Sequence, residues 1–547
     1  MDTGTLNFLA ARALIDGLAA AVVTEAVITP GSSSTPLTLA LLREPRIRCT
    51  ITVDERSAAF FALGLGKARR HPALLVATSG TAPANWLPAV IEACQADVPL
   101  LLLSADRPPE IRGWGANQTV DQTGLFAAFV RAHHDLPAPS LQPGQAFSPE
   151  SAWRLAARVV EESRWPQPGP VHLNLPFHEP LIPGDDIPPL ATAPALHIAP
   201  PQTLPDAAGI DALAERISGR PGLIVCGELP AGDACRKNAL FSALTVLSAR
   251  LASPLLLEPL SGLRYGPHWA SLSDGALPCT RYAQWSPEAL AGERPEWLLR
   301  IGPWPVTRAL QSLAASAAWQ ALIDPTPAWH DPLQRLDLLL RADPLAACTA
   351  LLARPLAPAP AAWRARLAAL ESRPPTSSPA ARRIAAVLAA LPEATPLLVG
   401  NSLAIRELDH HGGWQHKTID LFGNRGASGI DGQVSTAAGI AAARGRCLAL
   451  LGDLTTQHDL GGLALARGRS LVVVTVNNGG GGIFDQLPQA ALPEFIAGWR
   501  TPQTIDFAAA AATFGIAYRH AGDPETLQAA IAAAFADGGP HLIETVG

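Results

Sequence analysis

The chain has 547 residues, of which 48% are apolar and 16% charged, and its net charge at pH 7 is −6. That length exceeds a single compact core and points to about three domains of roughly 150–200 residues. The composition excludes a disordered chain, and the charge excludes a general nucleic-acid binder, which needs a basic stripe.

Seven cysteines without a C-x-x-C pair argue against a disulfide framework or a zinc site and fit a reducing compartment. The N-terminus has no basic stretch leading into an apolar core, and no apolar run reaches membrane-spanning length. A soluble, cytoplasmic protein without membrane insertion is expected.

The first predicted element is a helix over 7–20, with apolar residues at Phe8, Leu9, Leu14, Ile15 and Leu18. A strand over 26–29, a Gly/Ser turn and a helix capped by Ser34 or Thr35 follow. The runs ALLVAT (73–78) and PLLLLSA (99–105) are strands, each leading into a loop. Proline is too dense in 180–206 for regular structure, which marks a linker.

In the middle block GLIVCG (222–227), SPLLLE (253–258) and WLLRIG (297–302) are strands. A second Pro-rich stretch, 353–380, surrounds a short helical patch. The last block has strands over 396–400, 447–452, 471–476 and 541–546. Continuous apolar strands separated by helices predict buried parallel sheets. The expectation is an α/β protein of three domains, 1–182, 205–354 and 378–547, each an open, mostly parallel sheet flanked by helices. Ligand loops belong at the carboxyl ends of the strands.

The strongest chemical signal is LGDLTTQHDLGGLALARGRSLVVVTVNNGGGGIF, 451–484. One strand ends in Gly452-Asp453, and the next ends in Asn477-Asn478 and a glycine run. A right-handed crossover sets such strands side by side, so Asp453 and Asn478 meet at one sheet edge. A carboxylate, an amide oxygen and the carbonyl of Gly480 form a partial oxygen shell suited to Mg²⁺. The glycines let the backbone approach a diphosphate closely. Either half alone is an ordinary strand exit; the ordered pair is not.

GD followed at this spacing by NN resembles the metal and diphosphate motif of thiamine-diphosphate enzymes. More specifically, PGSSSTPLTLAL (30–41), DERSAAFFALGLGKA (54–68), TSGTAPANWLPAVIEA (78–93), SADRPPE (104–110) and GANQTVDQ (115–122) resemble the SEPHCHC synthase family of menaquinone biosynthesis. So do GNSLAIRELD (400–409), NRGASGIDGQVSTAAG (424–439) and GGIFDQLP (481–488). The likeness is dense over the first and last blocks and thin over the middle.

The resemblance implies the three-domain thiamine-diphosphate-enzyme architecture, with a pyrimidine-binding first domain and a diphosphate-binding third. It implies decarboxylation of 2-oxoglutarate and conjugate addition of the succinyl-semialdehyde carbanion equivalent to isochorismate. It implies thiamine diphosphate with Mg²⁺ or Mn²⁺, and a homodimer or tetramer with the cofactor between subunits. Glu55 would activate the aminopyrimidine, with Gln118 near the reacting centre and Asn117 beside it. Ile430 would wedge the cofactor into its bent form. Asp453, Asn478 and Gly480 would ligate the metal, and Ile483, Phe484 and Leu487 would line an apolar wall. Ser402 and Arg406 would take the distal carboxylate of 2-oxoglutarate. Ser32 would bind substrate, and Arg107, Arg308 and Arg425 would face the carboxylates of isochorismate, a polyanion for which Arg offers forked donors.

The chain departs from the family at two places. Ser33 stands where the family segment PGSRSTPL has Arg, and Thr307 where some members have Lys. Losing one charge-assisted contact costs about 1.5–3 kcal/mol of binding. A related thiamine-diphosphate decarboxylase or carboligase with another acceptor, and a non-catalytic paralogue, therefore stand as alternatives; intact Glu55, Asp453 and Asn478 speak against the latter. His133-His134 and His410-His411 lack the i, i+4 spacing of a metal pair, and GLGKA (64–68) lacks the outer residues of a P-loop.

Overall fold

The structure is a computed structural model that describes residues 1–142, 146–230, 234–286, 288–290, 292 and 294–547, with the side chains of 308 and 309 outside the description. The first sheet holds β1 (Glu25–Thr29), β2 (Arg48–Ile51), β3 (Ala73–Ala77), β4 (Leu100–Asp106), β5 (Ala132–Asp135) and β6 (Pro170–Pro176) in the order β2-β1-β3-β4-β6-β5. The middle sheet holds β7 (Gly222–Cys226), β8 (Leu255–Leu257), β9 (Pro278–Cys279), β10 (Trp297–Ile301), β11 (Trp319–Ile323) and β12 (Leu338–Leu340), ordered β12-β11-β10-β7-β8-β9. The third holds β13 (Leu397–Val399), β14 (Leu421–Phe422), β15 (Arg446–Gly452), β16 (Ser470–Asn477), β17 (Ala517–Ala521) and β18 (His541–Val546), ordered β14-β13-β15-β16-β18-β17. All pairings are parallel, and the first and third sheets share one topology.

β1, β3, β4 and β6 are buried along their whole length because helices cover both faces. On one face lie α1 (Thr3–Ala20) and α2 (Thr35–Leu42), whose Phe8, Leu14, Leu18 and Leu37 pack on Val76 and Leu103. On the other lie α3 (Glu55–Arg69) and α4 (Leu87–Gln95). That second face is not closed by solvent. One apolar core runs from Leu75 and Leu102 through Phe61 and Ile440 to Ala449 and Val473 of the third sheet.

Glycines make the crossing of α3 with the helix Gln433–Arg444 possible. A Cβ on Gly64 would fall 2.1 Å from the Thr436 oxygen, and one on Gly439 2.1 Å from the Phe61 oxygen. The GLGKA segment is therefore a helix-crossing surface.

One local expectation changes, and another gains its bounds. Ser34 does not cap α2: its hydroxyl donates to the Gly31 oxygen (3.0 Å) and accepts the Gly31 N–H (3.3 Å), closing a short 3₁₀ turn instead. The helical patch of the second Pro-rich stretch is Ala361–Glu371, and its Trp363, Leu367 and Leu370 are buried against the middle sheet. Apolar residues at i, i+4 and i+7 give that helix one buried face.

Candidate active site

In the third sheet the strand order reverses direction between β13 and β15, so the loops after these strands diverge and leave a crevice. Ser402 follows β13, and Asp453 begins the short helix Asp453–His458 directly after β15. β15 and β16 pair in register Gly452↔Val476, which sets Asp453 beside the turn after β16. Asp453 is 3% exposed. Its Oδ1 accepts the Leu454 N–H (2.7 Å) and its Oδ2 the Gly480 N–H (2.7 Å). A carboxylate at a helix N-terminus is held there by the unpaired amides.

Gly480 has φ +129°, and a Cβ there would lie 2.3 Å from the Arg500 oxygen, so only glycine fits. Its carbonyl accepts the Gly482 N–H (2.9 Å), leaving one lone pair. Arg500 donates to the Asn478 oxygen (2.6 Å) and more distantly to its Oδ1 (3.4 Å). Asn477 instead closes the turn, accepting the Gly479 N–H (3.0 Å) and donating to Glu544 (2.7 Å). Among the described residues no group of three or more His, Cys, Asp or Glu forms a metal cage. One carboxylate, one amide and one carbonyl oxygen are the hard, incomplete donor set that Mg²⁺ takes when phosphate oxygens complete its shell, so these residues fit.

Ile483 and Phe484 lie half-buried in the 3₁₀ turn Gly482–Gln486, and Leu487 follows it. Ile430 stands 36% exposed in the loop before the helix Gln433–Arg444. Asn401, after β13, organises that loop. Its Nδ2 donates to the Asn424 and Gly429 oxygens (both 2.7 Å), and its Oδ1 accepts from Arg425 Nη1 (2.7 Å). Ser402 sits at φ +68°, ψ −122°, a strained backbone for a non-glycine residue. Arg406, exposed, donates to the Ser402 oxygen (2.6 Å).

The first sheet reverses order between β1 and β3 in the same way, and Ser32, Ser33, Ser79, Arg107 and Gln118 collect at that edge. Ser33 is buried, 3.3 Å from the Ser79 hydroxyl. Ser79 Oγ donates to the Gln118 oxygen (2.9 Å), and Gln118 Nε2 donates to the Ser79 oxygen (3.0 Å), with Gln118 at φ +55°. Gln122, fully buried, anchors the loop by accepting the Gly80 N–H (2.9 Å) and donating to Asn174 Oδ1 (2.9 Å). Asn117 and Ser32 are exposed. Arg107 is 3.3 Å from Glu179.

Beneath this edge Ser104 donates to Asn174 Oδ1 (3.0 Å), so its oxygen accepts a hydrogen bond from His172 Nε2–H (2.7 Å). Burial holds the His172 imidazole down to about 3.

Glu55 opens α3. The neighbouring Asp54 caps that helix, accepting the Arg56 and Ser57 N–H groups (2.9 and 3.2 Å). The Glu55 carboxylate has no hydrogen-bond partner or ion pair among the described residues, while Arg56 reaches the His458 oxygen (3.1 Å). The side chain of Arg308 lies outside the described residues. Thr307 hydrogen-bonds Asp409, which also takes the buried Arg264 (2.5 Å), so Thr307 belongs to an interdomain network.

The structure thus gathers Asp453, Asn478 and Gly480 at one edge and Ser402, Arg406, Arg425 and Ile430 at the adjoining one. Ser32, Arg107 and Gln118 lie at the edge of the first sheet. Sequence reasoning passes over Asn401, Gln122 and Arg500. The first two lie in the segments GNSLA and TVDQ, but nothing local separates a buried amide from an exposed one.

Comparison with known proteins follows the same division. The family described as "Thiamine pyrophosphate enzyme, N-terminal TPP binding domain" matches residues 9–125, and "Thiamine pyrophosphate enzyme, C-terminal TPP binding domain" matches 412–545. The chain is 52% identical to a 2-succinyl-5-enolpyruvyl-6-hydroxy-3-cyclohexene-1-carboxylate synthase of Dechloromonas aromatica, over 99% of both chains. It is 38% identical to one of Halobacterium salinarum, over 100% of this chain and 96% of that one. It is 40% identical to one of Chloroflexus aurantiacus, over 97% and 92%. The fold is similar to that of benzoylformate decarboxylase from Polynucleobacter necessarius, with TM-score 0.71, 17% identity and 98% of each chain covered.

Proposed function

The chain belongs to the 2-succinyl-5-enolpyruvyl-6-hydroxy-3-cyclohexene-1-carboxylate synthase family, and from that premise we propose the role of each residue in its site. It is a thiamine-diphosphate-dependent enzyme of menaquinone biosynthesis. Its reaction decarboxylates 2-oxoglutarate and adds the remaining four-carbon unit to isochorismate. The observation that carries the site is the Asp453 Oδ2–Gly480 N–H contact, which joins the ends of β15 and β16 into one oxygen-lined edge.

When bound, thiamine diphosphate supplies the electron-accepting centre for decarboxylation, and a divalent cation neutralises its diphosphate. Asp453, Asn478 and the Gly480 carbonyl hold Mg²⁺ or Mn²⁺. Ile430 would pack against the bound cofactor, and Ile483, Phe484 and Leu487 would exclude water from it. Glu55 holds a proton at the aminopyrimidine nitrogen. Gln118 and Asn117 orient the reacting groups. Ser402 and Arg406 take the distal carboxylate of 2-oxoglutarate, while Ser32, Arg107, Arg308 and Arg425 orient the carboxylates of isochorismate.

The Glu55 carboxylate, without a hydrogen-bond partner among the described residues and with Ile51 54% and Val53 88% exposed beside it, supports a second copy covering this edge. A homodimer is then the minimal active unit, a tetramer its dimer, and the cytoplasm its compartment.

The test incubates purified protein with thiamine diphosphate, Mg²⁺, 2-oxoglutarate and isochorismate. Release of carbon dioxide together with the adduct is expected. Carbon dioxide without the adduct would move the assignment to another acceptor. Glu55→Gln should abolish turnover with an unchanged melting curve; retained turnover removes Glu55 from its role.

A further inference from the structure

Two buried side chains of the first domain grip the loop of the third domain that carries Arg425 and Ile430. Lys67, in the last turn of α3, donates to the Gly423 oxygen at 2.8 Å. It also lies 3.5 Å from Glu92 Oε1 on α4. Glu92, 3% exposed, accepts the Gly426 N–H through Oε1 (3.0 Å) and the Ala427 N–H through Oε2 (2.7 Å). A Cβ on Gly426 would lie 2.6 Å from the Glu92 backbone oxygen and 2.7 Å from the Ala96 backbone nitrogen, so the loop is pressed onto α4.

Buried charges stay in place when they are paired and fully hydrogen-bonded. Here Lys67 and Glu92 pair with each other between α3 and α4, and the loop backbone supplies the Gly423 carbonyl and the Gly426 and Ala427 amides that hydrogen-bond them. Asn401 holds the same loop from the other side, at the Asn424 and Gly429 oxygens. With Lys67 on Gly423, Glu92 on Gly426 and Ala427, and Asn401 on Asn424 and Gly429, the backbone between 423 and 429 is fixed. The Arg425 guanidinium and the Ile430 side chain are then presented from a rigid frame. Rigid support of this kind sets how well a side chain meets its ligand.

We infer that Glu92 and Lys67 are positioning residues for the acceptor: they hold the 423–429 loop so that Arg425 meets a substrate carboxylate. The role of Arg425 rests on the reading under "Proposed function"; the grip on the loop does not. Lys67 and Glu92 act through the loop backbone that they hold. Their effect is expected in acceptor affinity and in loop protection, with the chemical step spared.

The experiment uses the full-length protein, wild type and Glu92→Gln, with two readouts. Hydrogen–deuterium exchange follows peptides covering 423–430, and steady-state kinetics separates KM from kcat. Glu92→Gln is expected to speed exchange at Gly426 and Ala427 at least tenfold, with peptides from α3 and α4 unchanged. KM for isochorismate should rise at least tenfold, with kcat within threefold of wild type. Glu92→Asp keeps the charge facing Lys67 but cannot span both amides, and intermediate values of both readouts are expected. It also serves if Glu92→Gln does not fold. Wild-type exchange in the loop overturns the inference, as does a loosened loop with unchanged KM. If the wild type itself makes no adduct, the functional reading fails, and the exchange readout then decides the clamp alone.

Discussion

Asp453 Oδ2 accepts the backbone N–H of Gly480 at 2.7 Å, across the ends of two neighbouring parallel strands. This contact fixes the turn after β16 against the helix after β15. It leaves the Asp453 carboxylate with lone pairs for a cation while two amides orient it.

Asp453→Asn should therefore weaken binding of thiamine diphosphate in the presence of Mg²⁺. Removing the charge but keeping the shape costs about 1.5–3 kcal/mol, or roughly 10–100-fold in affinity. Isothermal titration with and without Mg²⁺ measures it, and wild-type affinity in the variant would strip Asp453 of its ligand role.

Gly480→Ala tests the turn itself. The added Cβ meets the Arg500 oxygen at 2.3 Å, on a backbone with φ +129°. A loss of at least about 2 kcal/mol of stability is expected, together with weakened cofactor binding. Denaturant unfolding checks the first effect; a midpoint equal to wild type would mean the turn relaxes freely.

Ser33 lies 4% exposed with its hydroxyl 3.3 Å from that of Ser79, so it presents no charge to an acceptor. Ser33→Arg should supply the cation that the resemblance of segment 30–37 implies at this position. KM for isochorismate is expected to fall by about 10–100-fold, the worth of one charge-assisted contact. An unchanged KM, in a variant that melts like wild type, would show that position 33 does not reach the acceptor in this chain.

His172 sets one pH dependence of stability. Its folded value, about 3, lies below the ordinary 6.5 because the buried imidazole resists charge. The unfolded chain binds the extra proton first, so this contribution is complete above pH 6.5 and is lost as pH falls from 6.5 towards 3. Between pH 8 and pH 5 the loss is about 2 kcal/mol. His172→Phe, at a ring that meets Phe126 edge to face, removes the titration. The difference in unfolding free energy between wild type and variant should shrink by that amount on acidification. A pH-independent difference would show that His172 titrates normally.

The sequence by itself determined what depends on near neighbours along the chain. Continuous apolar runs must be strands buried on both faces, and each run expected in the first and third blocks lies within or overlaps β1, β3, β4, β13, β15, β16 and β18. Half-exposed edge strands such as β5, with its AHHD, carry no such run and are invisible by this rule. The GD and NN pair was legible for a related reason: one crossover connects adjacent parallel strands, so chain order predicts that their ends meet.

Tertiary structure alone decided the rest. Glu92 and Gly426 are 334 positions apart, and no local pattern links a helix carboxylate to a distant loop amide. The crossing at Gly64 and Gly439, and the burial of Ser33 against Ser79, likewise depend on which surfaces the packed sheets bring together. Sequence periodicity reports which face of an element seeks cover. Which element supplies that cover, and hence which polar groups are buried opposite one another, follows only from how the three sheets pack.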